Sequence, residues 1–116
     1  MKWEIEYIKE ALRNLKKLDP YNRRLILKAI DKTALHPLPP PDGIGKPLGN
    51  QSSSNLSGYY KIKLRDLGYR IVYGLKRENN IMKIIVISIR DDNAVYKEAE
   101  RRIQNLLMES EFNMDI

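Results

Sequence analysis

Residues 58–90 read GYYKIKLRDLGYRIVYGLKRENNIMKIIVISIR, and the fold is decided there. Apolar and polar side chains alternate over Gly58–Arg65, the pattern of a half-buried strand. Asp66-Leu67-Gly68 makes a short turn, and a second alternating run follows over Tyr69–Lys76. After the polar turn Glu78-Asn79-Asn80 comes a third strand, Met82–Arg90. Turns this short join antiparallel neighbours, so the three strands form a meander. The third strand is apolar on both faces over Ile84-Ile85-Val86-Ile87. It is therefore expected at the centre of a sheet, covered on both sides over part of its length.

Toward the N-terminus, Lys2–Tyr7 alternates weakly, with Trp3, Ile5 and Tyr7 on one side, and predicts a first strand. From Ile8 the period changes: Ile8, Ala11, Leu12, Leu15 and Leu18 fall at helical spacing. Asp19-Pro20 ends that helix and opens a second, with Asp19 as cap and Pro20 in the first turn. The second helix is expected over Pro20–Leu35, with Leu25, Ala29, Ile30 and Thr33 as its buried stripe. The two make a helical hairpin. His36–Ser54 holds five of the six prolines, with Gly43, Gly45, Gly49 and a serine run, and reads as one long irregular loop. Toward the C-terminus a last helix starts near Asn93, with Val95, Ala99, Ile103 and Leu106 inward. The expected organisation is one α+β domain over residues 1–108: strand, helical hairpin, three-stranded antiparallel meander, helix. Residues 109–116 are expected to form a flexible tail.

The chain has 116 residues, no cysteine and a net charge of +6. Lacking cysteine, it has no disulfide framework, thiolate metal site or thiol nucleophile, which fits a reducing cytoplasm. The N-terminal Met-Lys-Trp-Glu-Ile-Glu has acids where a signal peptide would be apolar, and no run is long enough to span a membrane. A positive balance suits a polyanionic partner, but only its placement is informative.

Alternate residues of a strand share a face. Tyr60, Ile62 and Leu64 point to one side, and Tyr59, Lys61, Lys63 and Arg65 to the other. In the next strand Tyr69, Ile71 and Tyr73 form the apolar set, with Arg70, Val72 and Gly74 opposite. Ser88 and Arg90 share a face of the third. With ordinary hairpin register, Lys61, Lys63, Arg70 and Arg90 converge on one side, and Gly74 leaves space there for a ligand backbone. Cations for phosphates beside aromatics for bases suit single-stranded RNA, with Tyr59, Arg65 and Ser88 as flanking RNA contacts. The ordinary alternative is a solvated face, with Arg70 in a structural ion pair. Lys16, Lys17, Arg23, Arg24 and Lys28 offer a second basic surface on the helical hairpin.

The stretch Leu56–Tyr73 resembles the central hairpin of RelE-type toxins of the RelE/ParE toxin–antitoxin superfamily. Val86-Ile87-Ser88-Ile89-Arg90, Val95-Tyr96 and the early Leu15-Lys16-Lys17-Leu18-Asp19 are similar to other parts of that pattern. The resemblance covers about residues 1–104 and implies a RelE/ParE-like α+β fold. It implies a metal-independent endoribonuclease, without cofactors, that cuts mRNA in the A site of the 30S ribosomal subunit through attack of the ribose 2′-hydroxyl. Lys61 and Lys63 match the lysines that stabilise the transition state and help activate the nucleophile. Arg70 matches the clamp on the scissile phosphate. Arg90 matches the arginine that steadies the phosphate and leaving group. Tyr96 matches the tyrosine that stacks on a base or acts as general base. Its helical position, about 100° round from the core residue Val95, predicts exposure toward the groove.

A tyrosine base must overcome the ordinary phenol pKa of about 10, which neighbouring cations can lower only in part; a lysine is the competing base. His36 is expected to be a loop surface residue. Ser88-Ile89 replaces the family's Gly-Lys, and the acids Asp91-Asp92 that follow would weaken the local field. That pair reads as a helix cap rather than a metal site. The implied partners are mRNA on the ribosome, a RelB-like antitoxin that wraps the toxin, and operator DNA only through the antitoxin complex. Two rivals stand beside the nuclease: a ParE-like gyrase inhibitor without chemistry, and an inactive RNA-binding homologue. The acidic tail is also a candidate pseudo-substrate for the basic groove.

Overall fold

A computed structural model describes residues 2–51 and 54–114. The chain runs β1 (Glu4–Tyr7), α1 (Lys9–Lys16), α2 (Pro20–Leu35), β2 (Lys46–Gln51), β3 (Ser54–Leu64), β4 (Tyr69–Lys76), β5 (Ile81–Ser88) and α3 (Asp92–Met114). The strands form one mixed sheet in the order β1-β5-β4-β3-β2. β3, β4 and β5 are the expected antiparallel meander. β1 joins parallel to β5, with Ile5 beside Met82 and Tyr7 beside Ile84. β5 is thereby flanked on both edges, and Ile84, Ile85, Val86 and Ile87 are all buried.

The segment read as a loop from residue 36 to 54 is a correction. Lys46–Gln51 is an edge strand paired antiparallel with β3, so the stretch ahead of it that stays irregular is residues 36–45; residues 52 and 53 of the expected loop lie outside the described residues. Pro47 and Gly49 conceal it, because they erase the alternation that marks a strand. Both are tolerated at an edge, where the register shifts between them and Gly49 takes φ 60°. Within the loop, a Cβ on Gly45 would lie 2.3 Å from the Pro37 carbonyl oxygen, so the chain folds back on itself at a spacing only glycine permits.

Asp19 caps α2 as expected, accepting a hydrogen bond from the Asn22 amide at 3.3 Å. The buried stripe of α2 is Ile26, Ile30, Thr33 and Ala34, with Leu25 and Ala29 only half-buried at its margin. Arg23 is not a free cation. It donates to the Leu15, Lys16 and Leu18 carbonyls and closes the end of α1.

α2 packs on the face carrying Ile62, Ile71 and Tyr73, whose hydroxyl donates to the Pro37 carbonyl at 3.0 Å. α3 lies across the opposite face. A bulge between Val72 and Tyr73 sets two β5 residues, Ile85 and Val86, against one position of β4. Arg102 of α3 donates to the Ile85 carbonyl at 2.9 Å, to Asn14 of α1 at 2.8 Å and to Glu98 at 2.6 Å. This buried guanidinium fixes α3 to the sheet and to α1. The segment from residue 109, expected as a tail, continues as helix through Met114; Asp115 and Ile116 lie outside the described residues. No helix of the described residues is long and apolar enough to cross a membrane.

Candidate active site

Directly opposed residues of antiparallel strands share a face. Across β3, β4 and β5 this aligns Lys63, Arg70 and Ser88 in one row. The next row holds Lys61 with Lys46 of β2 on one side and Val72 on the other. A third row, Tyr59, Gly74 and Lys83, lies toward the far end of the same face. Rows two residues apart are about 7 Å apart along the strand. α3 lies over the far end, and its N-terminus meets the first row through Asp92.

An acid closes the first row. Asp92, the first residue of α3, accepts a hydrogen bond from Lys63 Nζ at 3.3 Å and another from Arg70 Nε. The same arginine uses Nη1 on the Arg90 carbonyl at 2.8 Å, so the guanidinium is held in one plane by strand, turn and helix. The group is partly open to solvent: side-chain exposure is 29% for Lys63, 22% for Arg70 and 42% for Asp92. Partial burial pushes the Asp92 carboxyl up, but hydrogen bonds and charges from Arg70 and Lys63 outweigh this and leave it below its ordinary value. Asp91 does different work. Its carboxylate accepts from the Ala94 amide at 2.9 Å and caps α3.

The site residues expected from the sequence meet different fates. Lys61, Lys63 and Arg70 share the predicted face. Arg90 follows in the bend after β5, its amide donating to Ser88 Oγ at 3.2 Å and its side chain exposed. Neither Lys61 nor Arg90 makes an ion pair among the described residues. Arg70 does make the structural ion pair held open as the ordinary reading. Arg65 lies in the turn beyond β3 and is exposed.

Three expectations need correction. Tyr96 does not face an open groove: it is 4% exposed and belongs to the core. Burial pushes its phenol above the ordinary value and the Asp92 charge adds to this, with Arg70 opposing. Both effects disfavour the phenolate a general base would need. Gly74 leaves no room for a ligand, because a Cβ there would meet the Tyr59 ring at 2.8 Å. Tyr59 itself is half-buried over that glycine, four residues or about 13 Å along the strand from Lys63. His36 is an exposed C-cap of α2, as expected for a surface residue.

Sequence reasoning missed Lys46, hidden in the strand that Pro47 disguised, and the reach of Asp92 back to β3 and β4. The second had a signal: two adjacent acids need only one to cap a helix. Among the described residues no three histidine, aspartate or glutamate side chains gather as a metal site would require.

A family model described as ParE toxin of type II toxin–antitoxin system, parDE, matches residues 5–94. A RelE-like toxin protein of Escherichia coli is 28% identical over 107 residues, 90% of this chain and 100% of that protein. The mRNA interferase toxin RelE of Escherichia coli K12 is 46% identical over 44 residues, 38% of this chain and 46% of that one. A double arginine-to-alanine mutant of E. coli toxin RelE in the free state superposes with TM-score 0.68 at 27% identity, covering 89% of this chain and 99% of that one. The same mutant in complex with a peptide of the antitoxin RelBc gives TM-score 0.64 at 26% identity, covering 85% and 95%.

Proposed function

The chain belongs to the ParE toxin family of the RelE/ParE toxin–antitoxin superfamily, and from that premise we propose that it is a metal-independent endoribonuclease cutting mRNA in the ribosomal A site. One observation carries the reading: Lys63 and Arg70 stand directly across a strand pair and hold one carboxylate between them. Groups spaced to share two carboxylate oxygens are spaced to share the non-bridging oxygens of a phosphodiester. In the reaction the ribose 2′-oxygen attacks the adjacent phosphorus and the bond to the 5′-oxygen breaks, giving a 2′,3′-cyclic phosphate and a 5′-hydroxyl. Arg70 clamps the phosphate, and Lys63 and Arg90 offset charge on the phosphorane and leaving oxygen. Lys61, next in line on the same face and without an ion pair, is assigned the proton transfer at the 2′-hydroxyl. Tyr96 has no proton-transfer role in this reading and serves as part of the core beneath the site.

A RelB-like antitoxin, contact with operator DNA only through that antitoxin complex, and a cytoplasmic site of action with no membrane role complete the proposal. Toeprinting of translated mRNA tests it. Wild type should give codon-specific cuts, and Arg70→Ala should reduce the cutting rate by about 10²-fold or more while staying folded by circular dichroism. The match to a ParE family model favours the rival, a gyrase inhibitor. Intact message together with stalled gyrase would establish that rival and end the nuclease reading.

A further inference from the structure

Asp91 and Asp92 differ by one position but do separate things. Asp91 caps the head of α3, its carboxylate accepting from the Ala94 amide. Asp92 is not needed there, and its carboxylate crosses to β3 and β4 to bind Lys63 and Arg70 together. These cations lie 29 and 22 residues away in sequence, so the contact exists only in the folded chain. The carboxylate and an RNA phosphate would use the same donors on the same two residues, and both cannot be bound at once.

We infer that Asp92 is an internal competitor for the phosphate and sets which RNA the site accepts. This rests on the nuclease reading above. A site filled by its own carboxylate binds external anions with an affinity reduced by the fraction of time it stands open. RNA free in solution meets that reduction in full. RNA held beside the site by a larger assembly arrives at high effective concentration and displaces the carboxylate. Asp92 thereby discriminates between free and presented RNA without reading sequence. Lys61 and Arg90 lie outside the contact and are available to draw the phosphate in as Asp92 is displaced.

The test compares Asp92→Asn with Asp91→Asn. Both remove one negative charge from the head of α3, and asparagine preserves the cap at position 91. Only the first empties the Lys63–Arg70 pair of its carboxylate. Binding is read by fluorescence anisotropy with a labelled 2′-O-methyl RNA decamer, which cannot be cut. Asp92→Asn should bind about tenfold tighter than wild type, with Asp91→Asn within about threefold of wild type. Cleavage of free single-stranded RNA should rise with Asp92→Asn relative to cleavage on ribosomes. Equal or weaker binding by Asp92→Asn, or an equal gain from Asp91→Asn, overturns the inference. If Arg70→Ala still abolishes the toeprint in that event, the nuclease reading stands and only the competitor falls. If neither wild type nor Asp92→Asn binds the decamer and message stays intact, both fall.

Discussion

Arg70 has one guanidinium and three tasks. Nε engages Asp92, while Nη1 reaches the Arg90 carbonyl and, more distantly, that of Gly68 at 3.4 Å. Such a fork has no lysine equivalent, because an ammonium is a point charge on a flexible stem. Tyr96 is the neighbour whose part is most open to direct measurement. Its burial and the adjacent Asp92 charge both oppose ionisation. Tyr96→Phe should therefore retain activity to within about tenfold, the lower end of what a general base contributes being about 10². The pH–rate profile on ribosomes should keep its shape. Loss of the profile's rise with pH in the phenylalanine variant would restore Tyr96 as the base.

Two of the polar contacts that hold α3 bear on the site and on its stability. At its head the Asp92 contact joins β3 and β4; further along, Arg102, almost buried, joins β5, α1 and Glu98. Hydrogen bonds from Arg101, then from Arg102, outweigh partial burial and hold the Glu98 carboxyl down at about 2, against an ordinary 4.5. A carboxyl depressed on folding lends stability above its unfolded pKa and loses it as pH falls through the folded one. Glu98 thus contributes fully above about pH 4.5, and this contribution fades toward pH 2. Urea titrations of Glu98→Gln should show lower stability than wild type at pH 7 and a smaller difference at pH 2. A pH-independent difference would mean that the carboxylate charge is immaterial. With Arg102 so engaged, no buried side-chain polar atom of the described residues lacks a partner.

Across the whole molecule there are two basic surfaces, which meet where Lys28 and Lys63 line one pocket. One is the face of Lys46, Lys61, Lys63 and Arg70; the other is the helical hairpin with Lys16, Lys17, Arg24 and Lys28. Binding of single-stranded RNA falls with salt by a slope of about 0.7 per neutralised phosphate contact. Lys61→Gln and Lys46→Gln should each lower that slope for the decamer by about 0.7, and Lys16→Gln should leave it unchanged. The reverse ranking would move the RNA to the hairpin and leave the sheet face as a structural ion-pair cluster.

The sequence by itself determined the parts that depend on near neighbours. The strands β3, β4 and β5, the parity that puts Lys61, Lys63 and Arg70 on one side, the Asp19 cap and the buried, interior character of β5 follow from periodicity and turn length, although β4 and not β5 is the middle strand of the five. Tertiary structure decided the rest. β1 joins β5 rather than another edge, and β2 exists because β3 offers a free edge on which a proline-containing segment can pair. Helical spacing identified the side of α3 that faces inward but not the width of the stripe the sheet would cover, so Tyr96 joined Val95 inside. Asp92 reached Lys63 and Arg70 for a similar reason. A charge pair between residues so far apart in the chain has no period, and only the packing of α3 over the sheet brings its members within hydrogen-bonding distance.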